Sequence, residues 1–185
     1  PQDYLANYKS TVKGRRLGEK LWIGPPWEEI PQGAIPLIVE PGLAFGTGEH
    51  PTTSMCLEAL EKLAQGGFQP RKILDLGAGT GVLGILALKI WPSAQIDFVD
   101  NDPLCKTEIE KNFALNKMAI TPQVRIAERI FVEEPIYDLV ISNIYGEVLA
   151  MLAPQVWKVI QRPHGQWFAS GILAGIPEEA VSQKA

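Results

Sequence analysis

The feature that most constrains this chain is an apolar strand that runs into three alternate glycines and is followed, a helix length later, by a strand ending in an acid. Residues 73–81 read ILDLGAGTG and residues 98–102 read FVDND. Glycines in such a turn let a ligand lie directly on the backbone, and a carboxylate ending the next strand can bind a ribose diol. The pattern predicts an α/β fold that binds an adenosyl cofactor, with Asp100 as the ribose ligand.

The spacing of the glycines separates two classes of cofactor. The dinucleotide fingerprint is G-x-G-x-x-G, and its last glycine allows a helix to pack closely under a pyrophosphate. Here the glycines are Gly77, Gly79 and Gly81, and Val82 stands where that fingerprint requires glycine. The G-x-G-x-G turn instead resembles motif I of the class I S-adenosylmethionine-dependent methyltransferases. Taken alone, the motif also fits a tight turn whose glycines only satisfy backbone geometry.

Composition excludes several other classes of protein. The chain has 185 residues, 46% of them hydrophobic and 21% charged, which suits one globular domain with a sizeable core. A net charge of −4 gives no electrostatic footprint for DNA or RNA, so direct binding of nucleic acid is not expected. Cys56 and Cys105 lack CxxC spacing and only two histidines exist, so no metal is predicted. With no signal peptide and no membrane-spanning run, a cytoplasmic location and no membrane partner are expected.

Short apolar strands alternate with helical segments along most of the chain. This alternation predicts a doubly wound, mostly parallel, Rossmann-like sheet. The predicted strands are 72–76, 95–99, 123–126, 137–142 and 166–170, and the predicted helices are 52–65, 82–90, 103–117 and 147–160. Pro154 should kink the last helix. Residues 1–45 are interpreted as an N-terminal linker with a β-hairpin lead-in built from the runs 21–23 and 37–39, ahead of a cofactor-binding domain over 46–185.

Three stretches should meet where ligands bind such a sheet, beyond the carboxyl ends of the strands. They are residues 77–81, 100–102 and 142–145. Asn143 ends an apolar strand with a side chain that both donates and accepts hydrogen bonds, so it could orient an incoming amine toward the cofactor. The alternative is an ordinary asparagine that turns the chain after a strand. Tyr145 could flank the acceptor or pack at the rim.

A fourth stretch, PGLAFGTGEHPTT over residues 41–53, lies just ahead of a predicted helix. The free backbone N–H groups of a helix N-terminus favour anions such as the carboxylate of the cofactor's methionine moiety. A capped loop is the simpler interpretation, in which Thr52 or Thr53 only caps the helix. His50 by itself is more often a structural hydrogen-bonding residue than a catalytic one.

Together these stretches resemble one family. FGTGEHPTT (45–53), LDLGAGTG (74–81), DNDP (100–103), SNI (142–144) and SGIL (170–173) are similar to the PrmA-type bacterial methyltransferases, which modify amino groups on a large-subunit ribosomal protein. The resemblance implies that S-adenosylmethionine contacts the following residues: Thr53, Gly77, Gly79, Asp100 and Asn143. It further implies that Phe45, Gly46 and Thr47 belong to a loop that closes over the site.

The chain departs from the family pattern in three places. Residues 144–147 read IYGE where the family usually continues with small hydrophobic residues, which alters the wall nearest the methyl acceptor. The family also has a separate N-terminal domain that recognises the ribosomal protein, and too few residues precede residue 50 here for one of the commoner domain sizes. Finally, the usual C-terminal strand hairpin is expected to be missing after residue 170.

The sequence therefore predicts an S-adenosylmethionine-dependent protein N-methyltransferase that transfers methyl directly to a neutral amine, with Asn143 as the catalytic residue. The expected partner is a protein substrate, for which the resemblance implies a large-subunit ribosomal protein. Three alternatives stay open: a methyltransferase for another protein or for a nucleic-acid amino group, an NAD-dependent oxidoreductase, which Val82 disfavours, and a truncated, non-catalytic module that binds S-adenosylmethionine.

Overall fold

Two β-sheets and four helices form the part of the protein that the computed structural model describes, which comprises residues 12–39, 50–130 and 134–171. The strands are β1 (Arg15–Leu17), β2 (Leu21–Gly24), β3 (Ile35–Ile38), β4 (Lys72–Leu76), β5 (Gln95–Asp100), β6 (Gln123–Ile126), β7 (Leu139–Asn143) and β8 (Gln166–Ser170). The helices are α1 (Pro51–Gln65), α2 (Val82–Ile90), α3 (Leu104–Leu115) and α4 (Gly146–Val159).

The larger sheet has five strands in the order β6-β5-β4-β7-β8, and every neighbouring pair is parallel. The chain builds outward from β4 through β5 to β6, and then returns to place β7 on the other side of β4. The strand order therefore reverses between β4 and β7, which is where ligands bind in doubly wound sheets. The predicted doubly wound, parallel α/β fold is confirmed. Residues 172–185, where the C-terminal hairpin was expected to be missing, lie outside the described residues.

The central strands are buried on both faces, as parallel strands flanked by helices must be. Ile73 and Leu74 of β4 are fully buried although they point to opposite faces. On one face, α2 approaches the sheet very closely: a Cβ added at Gly84 would overlap the Phe98 ring of β5. The absence of a side chain at Gly84 lets α2 lie directly on the strands that carry the candidate site.

The smaller sheet corrects the prediction for the first part of the chain. The runs 21–23 and 37–39 do lie side by side, but β2 and β3 are parallel, and the hairpin joins β1 to β2 instead. The proline- and glycine-containing connection between β2 and β3 brings the chain back to the end of the sheet where β2 begins, so the two strands run in the same direction. The predicted division at residues 45 and 46 stays a prediction, because neither residue is described.

Most element boundaries agree with the sequence. Those of β4, β6, β8 and α2 are as predicted, and α1 and α4 each begin one residue early. Helix α3 ends two residues before the predicted end because Lys117 adopts a left-handed φ of +53°, which a helix cannot include. Strand β7 begins at Leu139 rather than at Tyr137, since Tyr137 makes an isolated bridge to Ile160 outside the ladder.

Candidate functional site

The three stretches that were predicted to converge do so at one edge of the large sheet. Residues 77–81 follow β4, Asp100 ends β5 and Asn143 ends β7. Strand β4 is hydrogen-bonded to β5 on one side and to β7 on the other, all in the same direction. The carboxyl ends of these three strands therefore bring the stretches together at the point where the strand order reverses.

The turn after β4, residues 77–81, is called the glycine turn below. Its glycines all have positive φ values, +72° at Gly77, +52° at Gly79 and +74° at Gly81. This is the left-handed region that other residues enter only at a cost, so the alternate spacing has a conformational cause. The amides of Gly77 and Ala78 both donate to the Val99 carbonyl of β5, at 2.8 and 3.2 Å. The turn is thus fixed against the next strand.

Asp100 holds two backbone amides with one carboxylate. Its Oδ2 accepts from the Gly79 amide at 2.8 Å, and its Oδ1 accepts from the Asp102 amide at 2.9 Å. The side chain is only partly buried. Because each carboxylate oxygen has two lone pairs, both oxygens keep one acceptor position after these contacts. Asp100 can therefore shape the glycine turn and still accept from a vicinal diol.

Asn143 contacts another residue that the sequence had singled out. Its Nδ2 donates to the Thr53 Oγ1 at 3.2 Å, although 90 residues separate the two. Thr53 lies in the first turn of α1 and is fully buried, whereas Asn143 is partly exposed. The contact holds the Asn143 amide against α1. It also joins the first turn of α1 to the end of β7.

The cap of α1 is His50, whose Nδ1 accepts from the Thr52 amide at 3.3 Å and lies 2.7 Å from the Thr52 Oγ1. This contact gives His50 the structural hydrogen-bonding role expected of it, and it corrects the interpretation in which Thr52 or Thr53 caps the helix. The predicted loop contacts Phe45, Gly46 and Thr47 lie outside the described residues. Their roles stay predictions.

Ile144 and Tyr145 follow Asn143 and differ sharply in environment. The Ile144 side chain lies against Gly77, so closely that an added Cβ at Gly77 would overlap its Cγ2. Tyr145 precedes α4 and is 73% exposed. The structure thus places Ile144 on the glycine turn and Tyr145 at the outer rim.

Asp75 is a site-forming residue to which sequence reasoning gave no role of its own. It is 1% exposed, and its Oδ2 accepts from the Gly84 amide near the start of α2 at 2.9 Å. Burial raises the pKa of Asp75 to about 8, opposed by the Gly84 hydrogen bond and assisted by the negative charge of Asp100. The carboxyl is therefore mostly neutral at pH 7, which avoids two adjacent anions at the site.

Helix α3 also holds the glycine turn, through contacts that do not involve Asp100. Asn112 Nδ2 donates to the Thr80 carbonyl at 2.8 Å, and both residues are buried. One turn earlier, Ile109 packs on Gly81, where an added Cβ would lie 2.8 Å from its Cγ1. The available sequence signal was an asparagine inside a helix, where its intrinsic propensity is poor and a specific partner is to be suspected.

The described residues contain neither a cluster of metal-ligating side chains nor a membrane-spanning helix. Among them, no group of three or more His, Cys, Asp or Glu side chains is placed to hold a metal ion. No described helix combines the length and apolar character needed to cross a bilayer. Both thiols are buried, and burial raises the pKa of Cys56 and raises that of Cys105 to about 11.

Comparison with known proteins gives close relatives. The chain is 38% identical over 175 residues to a ribosomal protein L11 methyltransferase of Desulfitobacterium hafniense, with 93% of this chain and 54% of the relative covered. It is also 38% identical over 176 residues to the protein of that name from Myxococcus xanthus, with 94% and 58% covered. The chain therefore spans little more than half the length of these curated relatives.

A solved structure is similar over nearly the whole chain. The crystal structure of a ribosomal protein L11 methylase from Lactobacillus delbrueckii subsp. bulgaricus superposes with a TM-score of 0.78 at 28% identity, covering 92% of this chain and 87% of the other. In addition, a family model described as ribosomal protein L11 methyltransferase (PrmA) matches residues 1–184. With the fold, the converging strand ends and these relatives in agreement, the resemblance noted in the sequence is confirmed, and the chain belongs to the ribosomal protein L11 methyltransferase (PrmA) family.

Proposed function

We propose that this protein transfers a methyl group from S-adenosylmethionine to an amino group of a protein substrate. The observation that carries the proposal is the meeting of the glycine turn, Asp100 and the Asn143–Thr53 pair at the switch point of the sheet. Family membership supports the same activity, since the relatives are named methyltransferases.

The residues present fit an adenosyl cofactor. Asp100 keeps an acceptor position on each oxygen, which matches the two hydroxyls of a ribose. Gly77 and Gly79 carry no side chains, so a ligand could lie against the backbone of the turn on the side that Ile144 does not cover. We therefore assign cofactor contact to Asp100, Gly77, Gly79 and Thr53, together with Asn143.

When bound, S-adenosylmethionine supplies a methyl group on a sulfonium, which is already an activated electrophile. The protein's own task is then to orient the acceptor, exclude water and accept hydrogen bonds. Because the Asn143 Nδ2 donates to Thr53, the Oδ1 on the other branch of the amide is left to accept from an amine. An N–H held in this way would point the nitrogen lone pair in a defined direction.

The acceptor amine must be neutral when it attacks. Lysine amines are mostly protonated at pH 7, so transfer of the amine from water into a partly buried site has to favour loss of its proton. Asp75 is mostly protonated at that pH, so it is a poor proton acceptor there. We assign to Asn143 the role of holding the amine once the proton has gone.

We propose a ribosomal protein as the substrate, because the curated relatives are named for methylation of ribosomal protein L11. A cytoplasmic location follows from that substrate. The net charge of −4 further supports a protein substrate rather than direct binding of nucleic acid.

The first test is isothermal titration calorimetry with S-adenosylmethionine, S-adenosylhomocysteine and NADH. Binding of the first two without NADH is expected, and ligand at about 100 times its Kd should stabilise the protein by about 2.7 kcal/mol. A folded sample that binds neither adenosyl ligand would overturn the cofactor assignment.

The second test follows labelled methyl from S-adenosylmethionine into purified bacterial ribosomal protein L11. Label is expected in untreated L11 and not in L11 whose amines have been acetylated beforehand. Ribosomal RNA and DNA are parallel substrates, and label in either would favour the nucleic-acid alternative. Binding of S-adenosylmethionine without transfer to any of them would identify a non-catalytic binding module.

A further inference from the structure

We propose that Asn112 is a positioning residue for the cofactor: its side-chain amide holds the Thr80 carbonyl and thereby keeps the glycine turn in its binding shape. The proposal rests on the proposed binding of S-adenosylmethionine to that turn. Asn112 belongs to α3, which none of the sequence motifs for cofactor binding includes.

The Thr80 carbonyl needs an external partner. Thr80 is 5% exposed and lies between Gly79 and Gly81. Because both glycines have positive φ values, the backbone here does not continue the hydrogen bonding of a regular strand or helix. A buried carbonyl without a donor is costly, so a donor to this carbonyl stabilises the turn in its present shape. Asn112 supplies it at 2.8 Å and is itself 5% exposed.

Fixing this carbonyl fixes the neighbouring amide as well. A trans peptide is planar, so the Thr80 carbonyl and the Gly81 N–H point in opposite directions. With the carbonyl directed at α3, the Gly81 amide points back across the turn and donates to the Ala78 carbonyl at 2.8 Å. Glycines have access to a wide range of φ values, so the hydrogen bond from Asn112 acts with that of the Gly81 amide to select one orientation of this peptide.

Three consecutive residues of the turn are held from outside it. The Gly79 amide is held by Asp100, the Thr80 carbonyl by Asn112 and the Gly81 backbone by packing against Ile109. Ile109 and Asn112 are three residues apart and so lie on one face of α3. The turn is thereby clamped between the end of β5 and one face of α3.

A second asparagine on the same helix provides a matched control. Asn116 Oδ1 accepts from the Ile38 amide at 2.9 Å, and its Nδ2 donates to the Ile38 carbonyl at 2.7 Å. It is 7% exposed, so it is buried like Asn112, but it holds β3 instead of the glycine turn. Asn116→Ala removes both contacts to Ile38 and one to the Asn112 backbone carbonyl at 2.9 Å, so it should lower stability at least as much as Asn112→Ala.

The experiment compares the wild type, Asn112→Ala and Asn116→Ala in hydrogen exchange and in calorimetry with S-adenosylmethionine. In ligand-free protein, Asn112→Ala should speed amide exchange in residues 77–81, whereas Asn116→Ala should speed it near Ile38. Asn112→Ala should raise the Kd about tenfold, as expected if the competent turn falls to about a tenth of the population. Asn116→Ala should change the Kd by less than about twofold.

Two outcomes would overturn the proposal. The first is that Asn112→Ala changes neither amide exchange in the turn nor the affinity for S-adenosylmethionine. The second is that both variants lose the same affinity, which would indicate a general effect of lower stability. Asn112→Asp keeps the size of the side chain and removes the donor, so it replaces Asn112→Ala if circular dichroism shows that the latter is unfolded. Failure of the wild type to bind S-adenosylmethionine would instead overturn the proposed function, and the exchange data would still decide whether Asn112 fixes the turn.

Discussion

At the scale of single residues, Asp100 combines a structural and a binding role. Asp100→Ala removes the acceptor of the Gly79 amide as well as the proposed ribose ligand. We expect the Kd for S-adenosylmethionine to rise by at least about 100-fold, because two hydrogen bonds to a charged group are lost and each contributes about 1.5–3 kcal/mol. Titration calorimetry measures the change directly.

Asp102→Ala is the matched control for that prediction. Asp102 lies two residues further on, is exposed, and its Oδ1 accepts from the Leu104 amide at the start of α3. Loss of this capping contact should cost about 1 kcal/mol of stability and leave the Kd nearly unchanged. Equal Kd values for the wild type and Asp100→Ala would refute the ribose assignment.

Substitution of Asn143 is expected to lower the rate of methyl transfer more than the stability of the protein. Asn143→Ala should lower kcat by about 100-fold, since misplacement of a reacting group by about 1 Å costs that much. The temperature of unfolding should change little, because Asn143 is partly exposed. Thr53→Val, which removes the acceptor of the Asn143 amide, should give a smaller loss of kcat. A wild-type kcat in Asn143→Ala would refute the assigned role of Asn143 in holding the amine.

Asp75 should make the free energy of unfolding depend on pH. Its pKa is about 8 in the folded protein and about 3.9 in an unfolded chain, so the folded state binds more protons between these values. Its contribution to stability is complete below about pH 4 and is lost as the pH rises toward about 8, by up to about 1.4 kcal/mol per pH unit. Asp75→Asn should remove this slope in urea titrations at several pH values; an equal slope in both proteins would contradict it.

At the scale of elements, the glycine turn that follows β4 packs against Ile144, which follows β7. Gly77→Ala should destabilise the protein in two ways: its φ is +72°, and the new methyl group overlaps Ile144. Gly67→Ala isolates the first effect, because Gly67 has a φ of +81° with nothing within 4 Å of the added atom. We expect about 1–2 kcal/mol for Gly67→Ala and more for Gly77→Ala, measured by urea unfolding.

A second substitution tests whether the overlap with Ile144 causes the difference. Ile144→Ala should partly rescue Gly77→Ala and should not rescue Gly67→Ala, so the two pairs form double-mutant cycles. Additive free energies in both cycles would show that Ile144 does not contact the turn in solution.

Elements whose conformation depends on neighbouring residues in the sequence could be predicted, and those that depend on distant residues could not. Helix α2 begins and ends as predicted because a left-handed Gly81 precedes a continuous apolar run. The parallel pairing of β2 with β3 could not be predicted, since strand direction depends on the path of the connection. Asn112 was missed for a similar reason: its partner, Thr80, is 32 residues away, and polar residues on helices ordinarily face water.

At the scale of the whole molecule, the small sheet shares the hydrophobic core of the large one. Leu17, Leu21 and Leu37 belong to the same buried cluster as Ile73 of β4. Glu61 of α1 adds a polar connection, because its carboxylate accepts from the Glu19 and Lys20 amides at 2.8 and 2.6 Å. We expect residues 12–39 and the large sheet to unfold in one transition.

Glu61→Ala tests that connection, with Glu58→Ala on the same helix as the control. Loss of the two hydrogen bonds should cost about 2 kcal/mol in Glu61→Ala, against less than about 0.5 kcal/mol at the more exposed Glu58. Circular dichroism and hydrogen exchange of residues 12–39 should report the same midpoint in each variant. Separate midpoints in the wild type would show that the small sheet is an independent unit.

The strand order also has a consequence for synthesis. Strands β5 and β6 are the next two strands after β4 along the chain, and β7 is synthesised later. A growing chain therefore contains β4 with the edge that pairs with β7 still unpaired. Ile73 and Leu74, fully buried in the finished sheet, lie along that open edge while the chain is still on the ribosome. Such an edge is prone to pair with other chains. On the proposed assignment of Asn143 as a cofactor contact, S-adenosylmethionine would stabilise only chains whose synthesis has passed that residue, and so would not protect the open edge at this stage.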